Sequence, residues 1–410
     1  MSANKNFHIT AQAIDAHDPE LRELNLKLTQ IHDNPETCYK EYKAHENITQ
    51  FLEAKGVTVE RHAFGLETSF VAEYGKGGRV VTYCAEYDAL PVIGHGCGHN
   101  LICVSSVAAF LGVVEAMKTD PSITGRVRLL GCPAEEGEGG KIRLINAGAY
   151  KDVDAAIMTH PTPFASKMPE ADGIAYGTCL AAVGFLAKFK GRPAHAAAMP
   201  WAGINAADAA SLAYNAVGLL RQHIKPNDRI NIIIPQAGTG HNVIPDTSTV
   251  RVSVRSETSS QMEELRTRVE NCCKGAALAT GCSLELLAVM DPYADLRPNE
   301  SLCNEFTQNM ALSGKKYYND QSVRDLSCFS TDMGNVSYEV PSFHGNFCIQ
   351  TDADVALHTA GFRDAARKPD AHALAMGVGK GMAGAGLRVL TDEAFATEVR
   401  EDFKRDQAAR

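Results

Sequence analysis

Residues 84–101, CAEYDALPVIGHGCGHNL, gather Glu86, Asp88, His95, Cys97 and His99 directly after an apolar β-type run. A fold that encloses these groups must give each a partner, because a polar or charged side chain costs free energy once it leaves water unpaired. Metal ions are the natural partner. The rest of the chain adds what a metal site would still lack: Glu135 and Glu136 in GCPAEEGEGG, His160 in MTHP and His358 in ALHTAGF. The reading is a hydrolase with two metals.

The apolar runs around these residues say where in a fold they sit. Strand candidates occur at 78–85, 126–132 and 154–159, and chemistry follows each: Asp88 and the Cys97 loop, then Glu135 and Glu136, then His160. Open α/β sheets place their sites beyond the carboxyl ends of their strands. Residues 18–56 read as helical, with Leu21, Leu24 and Leu28 at helical spacing and a second segment around Ala44 to Ala54 ended by Gly56. Alternating helices and strands favour an α/β core with a mainly parallel sheet.

From about residue 180 the rhythm changes. Strand patterns at 180–191, 229–236, 249–256 and 283–289 alternate with amphipathic helices at 203–223 and 259–279, the second opened by serines. The order βαββαβ is that of a small ferredoxin-like domain. It interrupts the larger one, which resumes near Pro298 and ends in helices around 369–385 and 391–407. The expected domains are 1–180 and 296–410, together one catalytic domain, and 181–295. The charged end, EVREDFKRDQAAR, reads as a solvated helix face.

Several function classes are disfavoured. With 40 Lys and Arg against 49 Asp and Glu, the formal charge is −9, and no basic block is present. Nucleic acid is therefore not an expected partner. No signal-peptide pattern opens the chain, and no run is read as long and apolar enough to span a bilayer, so a cytoplasmic protein without a membrane partner is expected. The 12 cysteines lack a framework spacing and read as reduced core thiols. Cys97 alone has a chemical context.

Thiolate, imidazole and carboxylate are ligands for zinc and related divalent ions. Cys97 and His99 can converge because Gly94, Gly96 and Gly98 free the backbone around them. Of the adjacent glutamates, one can bind metal while the other handles protons: Glu135 the base, Glu136 the ligand. Asp88 would orient a ligand. Glu86 stays open between a solvated strand-end charge and a member of the site.

The ordered series DALP, GCGHN, PAEEGEGG, THP, GRPAHAAAMPWAGINAADAA, NVIPD, STDMGNVS and LHTAGF resembles the di-metal aminoacylase and carboxypeptidase group, peptidase family M20. It is most similar to the amidohydrolase branch with a cysteine ligand, on the side of aminobenzoyl-glutamate hydrolases and of dipeptidases acting on β-alanyl and Xaa-Arg dipeptides. The resemblance runs from about residue 15 to 405. It implies that Cys97, His99, Glu136, His160 and His358 hold two divalent ions, zinc or manganese, with Cys97 able to bridge, and that Glu135 is the general base. His195 matches a histidine that reaches a neighbouring subunit's site and stabilises the oxyanion. Asn242 and Arg255 match positions that hold substrate oxygens, Arg255 a carboxylate. The inserted domain would be a lid and the seat of a homodimer. Many members of this branch have Asp where this chain has Asn100, so Asn100 receives no ligand role, and His95 is taken as packed or orienting.

These residues imply hydrolysis of the amide bond of an N-acyl amino acid or dipeptide with a free carboxylate. The alternatives are a pathway-specific amidase, an enzyme forming an amide on a specialised metabolite, and a metal-bearing binding or scaffold protein.

Overall fold

The computed structural model describes residues 3–26, 31–163, 170–319 and 329–410. In chain order the strands are β1 (Thr58–Arg61), β2 (Phe70–Lys76), β3 (Val80–Glu86), β4 (Gly125–Cys132), β5 (Ala155–Pro163), β6 (Gly173–Ile174), β7 (Ala181–Lys190), β8 (Arg229–Gln236), β9 (Thr247–Ser256), β10 (Ser283–Ala288), β11 (Tyr317–Tyr318) and β12 (Ser342–Ile349). The chain divides into two compact units, one of Met1–Thr178, Leu296–Ser327 and Asn335–Arg410, the other of Cys179–Asp295 with Cys328–Gly334.

The larger unit is built on a sheet of order β1-β2-β4-β3-β5-β12-β6-β11. Its centre is parallel, from β4 through β3 and β5 to β12, and β1 and β2 add an antiparallel edge. All seven residues of β3 and all eight of β12 are buried, as expected of central strands covered on both faces.

Helix His99–Thr119 crosses behind this sheet and packs against helices Ala3–Leu26 and Pro369–Thr391. Phe110, Leu111, Val113 and Val114 are all at 1% exposure or less, and burying side chains of this size is worth roughly 1.5–3 kcal/mol each. This helix corrects the reading that no run reaches bilayer length: by length and composition its 21 residues are long and apolar enough to cross a membrane. A helix apolar on every side is the kind a large core encloses, and 94% of its most apolar window is buried.

Other boundaries also differ from the sequence reading. The first helix starts at Ala3 rather than near residue 18, and Leu28 lies outside the described residues. His160 lies within β5 and not after it.

The smaller unit is an antiparallel sheet of order β10-β7-β9-β8. Helices Ala206–Leu220 and Ser259–Thr280 complete the βαββαβ order read from the sequence. Val250, Val252 and Val254 of β9 are buried in its core with Ala210 and Leu265, while Arg251 is exposed on the opposite face. The second helix is capped by the Thr258 side chain, which accepts from the Gln261 amide, and not by the serines after it. β8 is a sheet edge, and its Ile233 and Ile234 are exposed.

Candidate metal centre

The loops after β3 and β4, strand β5 with His160, and the His358 loop after β12 bring the five proposed ligands of the larger unit together. The ligand atoms of Cys97, His99 and His160 lie within 4.8 Å of one another, and so do those of Cys97, Glu136 and His358. Cys97 belongs to both groups. A third group of the same tightness contains Glu86, His99 and Glu135.

Local backbone chemistry makes this convergence possible. Gly98, at φ 81°, turns the chain into the helix that begins at His99, and a Cβ there would lie 2.6 Å from the Pro161 ring. Gly96 serves differently from the sequence reading: its φ is not positive, and what it provides is room, since a Cβ would meet Ile93 at 2.6 Å. His358 adopts φ 63°, rare for a non-glycine residue, and its amide donates to Gly96 O at 2.9 Å. That bond ties the His358 loop to the Cys97 loop. Ala134, at φ 59°, performs the corresponding turn before Glu135.

Asp88 links the two halves. Its Oδ1 accepts from His99 Nδ1 at 2.9 Å and its Oδ2 from the Glu136 amide at 2.9 Å. With Nδ1 spoken for, His99 presents Nε2 to the cluster, 3.8 Å from Glu136 and 3.8 Å from Glu135. His160 is oriented in the same sense: its Nδ1 donates to Pro161 O at 2.7 Å, and its Nε2 stands 3.4 Å from Cys97 Sγ. His358 Nε2 is 3.5 Å from Glu136 Oε1.

The electrostatics ask for a cation. Burial resists charge on His99, yet the Asp88 carboxylate overrides it and holds the imidazole well above its ordinary pKa. Burial, reinforced by Glu136, pushes the Cys97 thiol up, and burial also raises Glu136. Burial drives His160 down to about 3, with His99 and His344 adding to the effect. Buried His99 Nε2, Glu136 Oε1 and Glu86 Oε2 have no hydrogen-bond partner among the described residues. Orphaned nitrogen and oxygen atoms beside the Cys97 sulfur fit a divalent metal, which would replace the proton at Nε2 and stabilise the thiolate.

Three neighbours were not singled out from the sequence. Lys141, fully buried, pairs with Glu86 Oε1. Glu41 accepts from the Ala134 amide at 3.0 Å and from Thr68 Oγ1 at 2.7 Å, pinning the strained turn; burial and Asp88 raise its pKa to about 7. His344 is buried on β12, its ring 6.0 Å from that of His160. Asn100 donates to Asn25 and to Ala366 O, which is a packing role, and buried His95 stacks on His32 at 5.8 Å.

The remaining predicted residues are in the smaller unit. His195 lies on an exposed loop that bridges to Val243, and the Ala196 amide donates to Asn242 O at 3.0 Å, so His195 and Asn242 are neighbours. His195 Nδ1 accepts from the amides of Ala197 at 3.2 Å and Ala198 at 3.1 Å. Half-buried Arg255 donates from Nη1 to Ser330 Oγ at 3.0 Å.

Residues 181–280 match the peptidase dimerisation domain of the M20 group. The chain is 38% identical over 384 residues to the Xaa-Arg dipeptidase of Mus musculus, covering 90% of this chain and 86% of that protein. It is 31% identical over 312 residues to one of the p-aminobenzoyl-glutamate hydrolase polypeptides of Escherichia coli, covering 72% of this chain and 63% of that one. A Bacillus subtilis structure described as a dinuclear metal-binding peptidase from the M20 family superposes with a TM-score of 0.66 at 21% identity, over 92% of this chain and 99% of that one. Fold and relatives define the class, a metal-dependent hydrolase of amide or peptide bonds. The chain belongs to the M20 peptidase family.

Proposed function

We propose that this chain is a dipeptidase or N-acyl amino acid amidohydrolase that holds two divalent ions, zinc or manganese, and acts on substrates with a free carboxylate. The observation that carries the reading is Cys97 shared between two groups of potential ligands, with Glu135 beside them and outside both. The names of the relatives make a dipeptide with C-terminal arginine the first substrate to try.

Bound divalent ions supply electrophilic polarisation of the amide carbonyl and make water easier to deprotonate. Glu135 takes the proton of the attacking water and returns it to the departing nitrogen. His195 contributes the opposite polarity. Because its Nδ1 accepts two amide protons, its remaining proton is on Nε2, a donor suited to an oxyanion. Asn242 and Arg255 hold substrate oxygens, Arg255 the carboxylate. The products are an acid, or an N-terminal amino acid, and the released amino acid.

The partner is a second copy of this chain, joined through the smaller unit. Exposed Ile233 and Ile234 on edge strand β8, with Leu219 exposed at 77%, support that choice, as does the dimerisation-domain match. His195 then acts at the partner's site. Mixing inactive His195→Ala with inactive Glu135→Gln protein is expected to restore part of the activity. A dead mixture with demonstrated subunit exchange would place His195 in cis. The free thiols of the described residues fit a reducing, cytoplasmic location, which cell fractionation tests.

A product-detected screen of dipeptides and N-acyl amino acids, with and without a chelator, tests the whole. Release of the free amino acid that stops on chelation and returns with metal is expected. Turnover that is indifferent to chelation, or active protein lacking stoichiometric ion, would overturn the reading.

A further inference from the structure

Glu86 and Lys141 have no part in the function just described, yet both are among the most deeply buried charged side chains near the centre. Glu86 is the last residue of β3, and Lys141 lies in helix Gly140–Asn146, just past the Glu135 turn. Their side chains are 1% and 0% exposed, and Lys141 Nζ donates to Glu86 Oε1. A buried ion pair of this kind gains little stability over well-packed apolar residues, so its presence asks for another explanation.

The second oxygen supplies it. Among the described residues Glu86 Oε2 has no hydrogen-bond partner, and 3.5 Å away is His99 Nε2, likewise buried and without one. Ligands of a tetrahedral ion with bonds of about 2.0–2.1 Å are separated by roughly 3.3–3.4 Å, so this spacing is that of two donors to one centre. Lys141 occupies Oε1 and so leaves Oε2 free to serve as a ligand.

We propose that Glu86 is a further ligand to the ion held by Cys97, His99 and His160, with Lys141 as the positioning residue that fixes its other oxygen. His99 is the common member: its Nε2 belongs to the group with Cys97 and His160 and also to the group with Glu86 and Glu135, so an ion on His99 Nε2 would have Glu86 Oε2 beside it. Lys141 offsets the charge that a further carboxylate adds to a pocket already holding Cys97, Asp88, Glu135 and Glu136. This inference rests on the metal-dependent reading above.

The test is metal binding to the full chain, measured by chelator competition and by the visible spectrum of the cobalt-loaded form. Glu86→Gln alone would strand the Lys141 charge, so the informative protein is Glu86→Gln combined with Lys141→Met, checked for wild-type circular dichroism and cooperative unfolding. It is expected to keep the ion at Glu136 and His358, to bind the other at least about tenfold more weakly, and to shift the cobalt d–d bands while the Cys97 charge-transfer band persists. Wild-type affinity for both ions with an unchanged spectrum would overturn the proposal and leave the functional reading intact. Wild-type chain that binds no ion would overturn both. A crystal structure of the zinc-loaded wild type reads the same point without any substitution: Glu86 Oε2 at about 2.0–2.2 Å from the metal supports the proposal, and a separation beyond hydrogen-bond range rejects it.

Discussion

His99 and His195 are the same side chain given opposite jobs by what touches Nδ1. In the larger unit, a buried carboxylate accepts the Nδ1 proton of His99, so Nε2 faces a cluster that demands positive charge. In the smaller unit, two backbone amides donate to Nδ1 of exposed His195, so the proton resides on Nε2. One nitrogen is left with the polarity that suits a metal, the other with the polarity that suits an anion. The lesson is that residue type does not set polarity; the partner on the far side of the ring does.

Substitutions can break this contrast in graded fashion. The largest effect is expected next to His99. Glu135→Gln should lower kcat by about 10²–10⁴ while metal analysis still finds both ions, whereas Glu136→Gln should lose one. Equal metal loss in the two variants would mean that the base and ligand assignments are wrong. On the other side of the comparison, His195→Ala should cost about 10²–10³ in kcat with metal affinity untouched, the usual effect of removing one oxyanion donor. A drop in bound metal would show His195 to be a ligand and dissolve the contrast.

Asp88→Asn attacks the orienting partner of His99 itself. Metal affinity, read by chelator competition, should fall about 10- to 100-fold, and an unchanged affinity would mean that the Asp88 contact is incidental. Arg255→Ala tests the other recognition group of the smaller unit and should lower kcat/KM by roughly ten- to a hundredfold, with an amidated substrate losing as much on wild-type enzyme. If both parents and variants work equally well, another group anchors the substrate.

The smallest effect is one of stability. Burial lowers the pKa of His344 to about 4, against an unfolded value near 6.5. The unfolded chain therefore binds the extra proton first, so stability is present above pH 6.5 and is lost as pH falls toward 4. Each pH unit inside that window costs up to about 1.4 kcal/mol for this one group. Urea unfolding of a His344→Phe variant at pH 6 and pH 5 should show a shallower loss than wild type, and parallel losses would remove His344 from the account.

Much of this was legible because it was local. Strand alternation in β7, β9 and β10 and the apolar runs of β3 and β4 carry their own period, and the ligands follow those strands at short range. Helix His99–Thr119 has no polar face, so it offered no helical period and passed unread. Strand β12, SFHGNFCI, conceals a fully buried run behind His344 and Asn346. Lys141 and Glu41 escaped because their meaning lies in partners far along the chain, Glu86 and Ala134. A lysine on a short helix looks like a surface charge until the fold closes over it.

The helix that begins at His99 joins two matters usually kept apart. Its first side chain faces the candidate metal centre, while the rest of its length is greasy enough for a lipid bilayer and is screened in part by helix Ala3–Leu26. Shelter for this rod is therefore also a condition for chemistry. A nick that strips away the N-terminal helix would at once disturb the footing of His99 and bare a surface that chaperones and aggregates capture, so that inactivation and insolubility should arrive together.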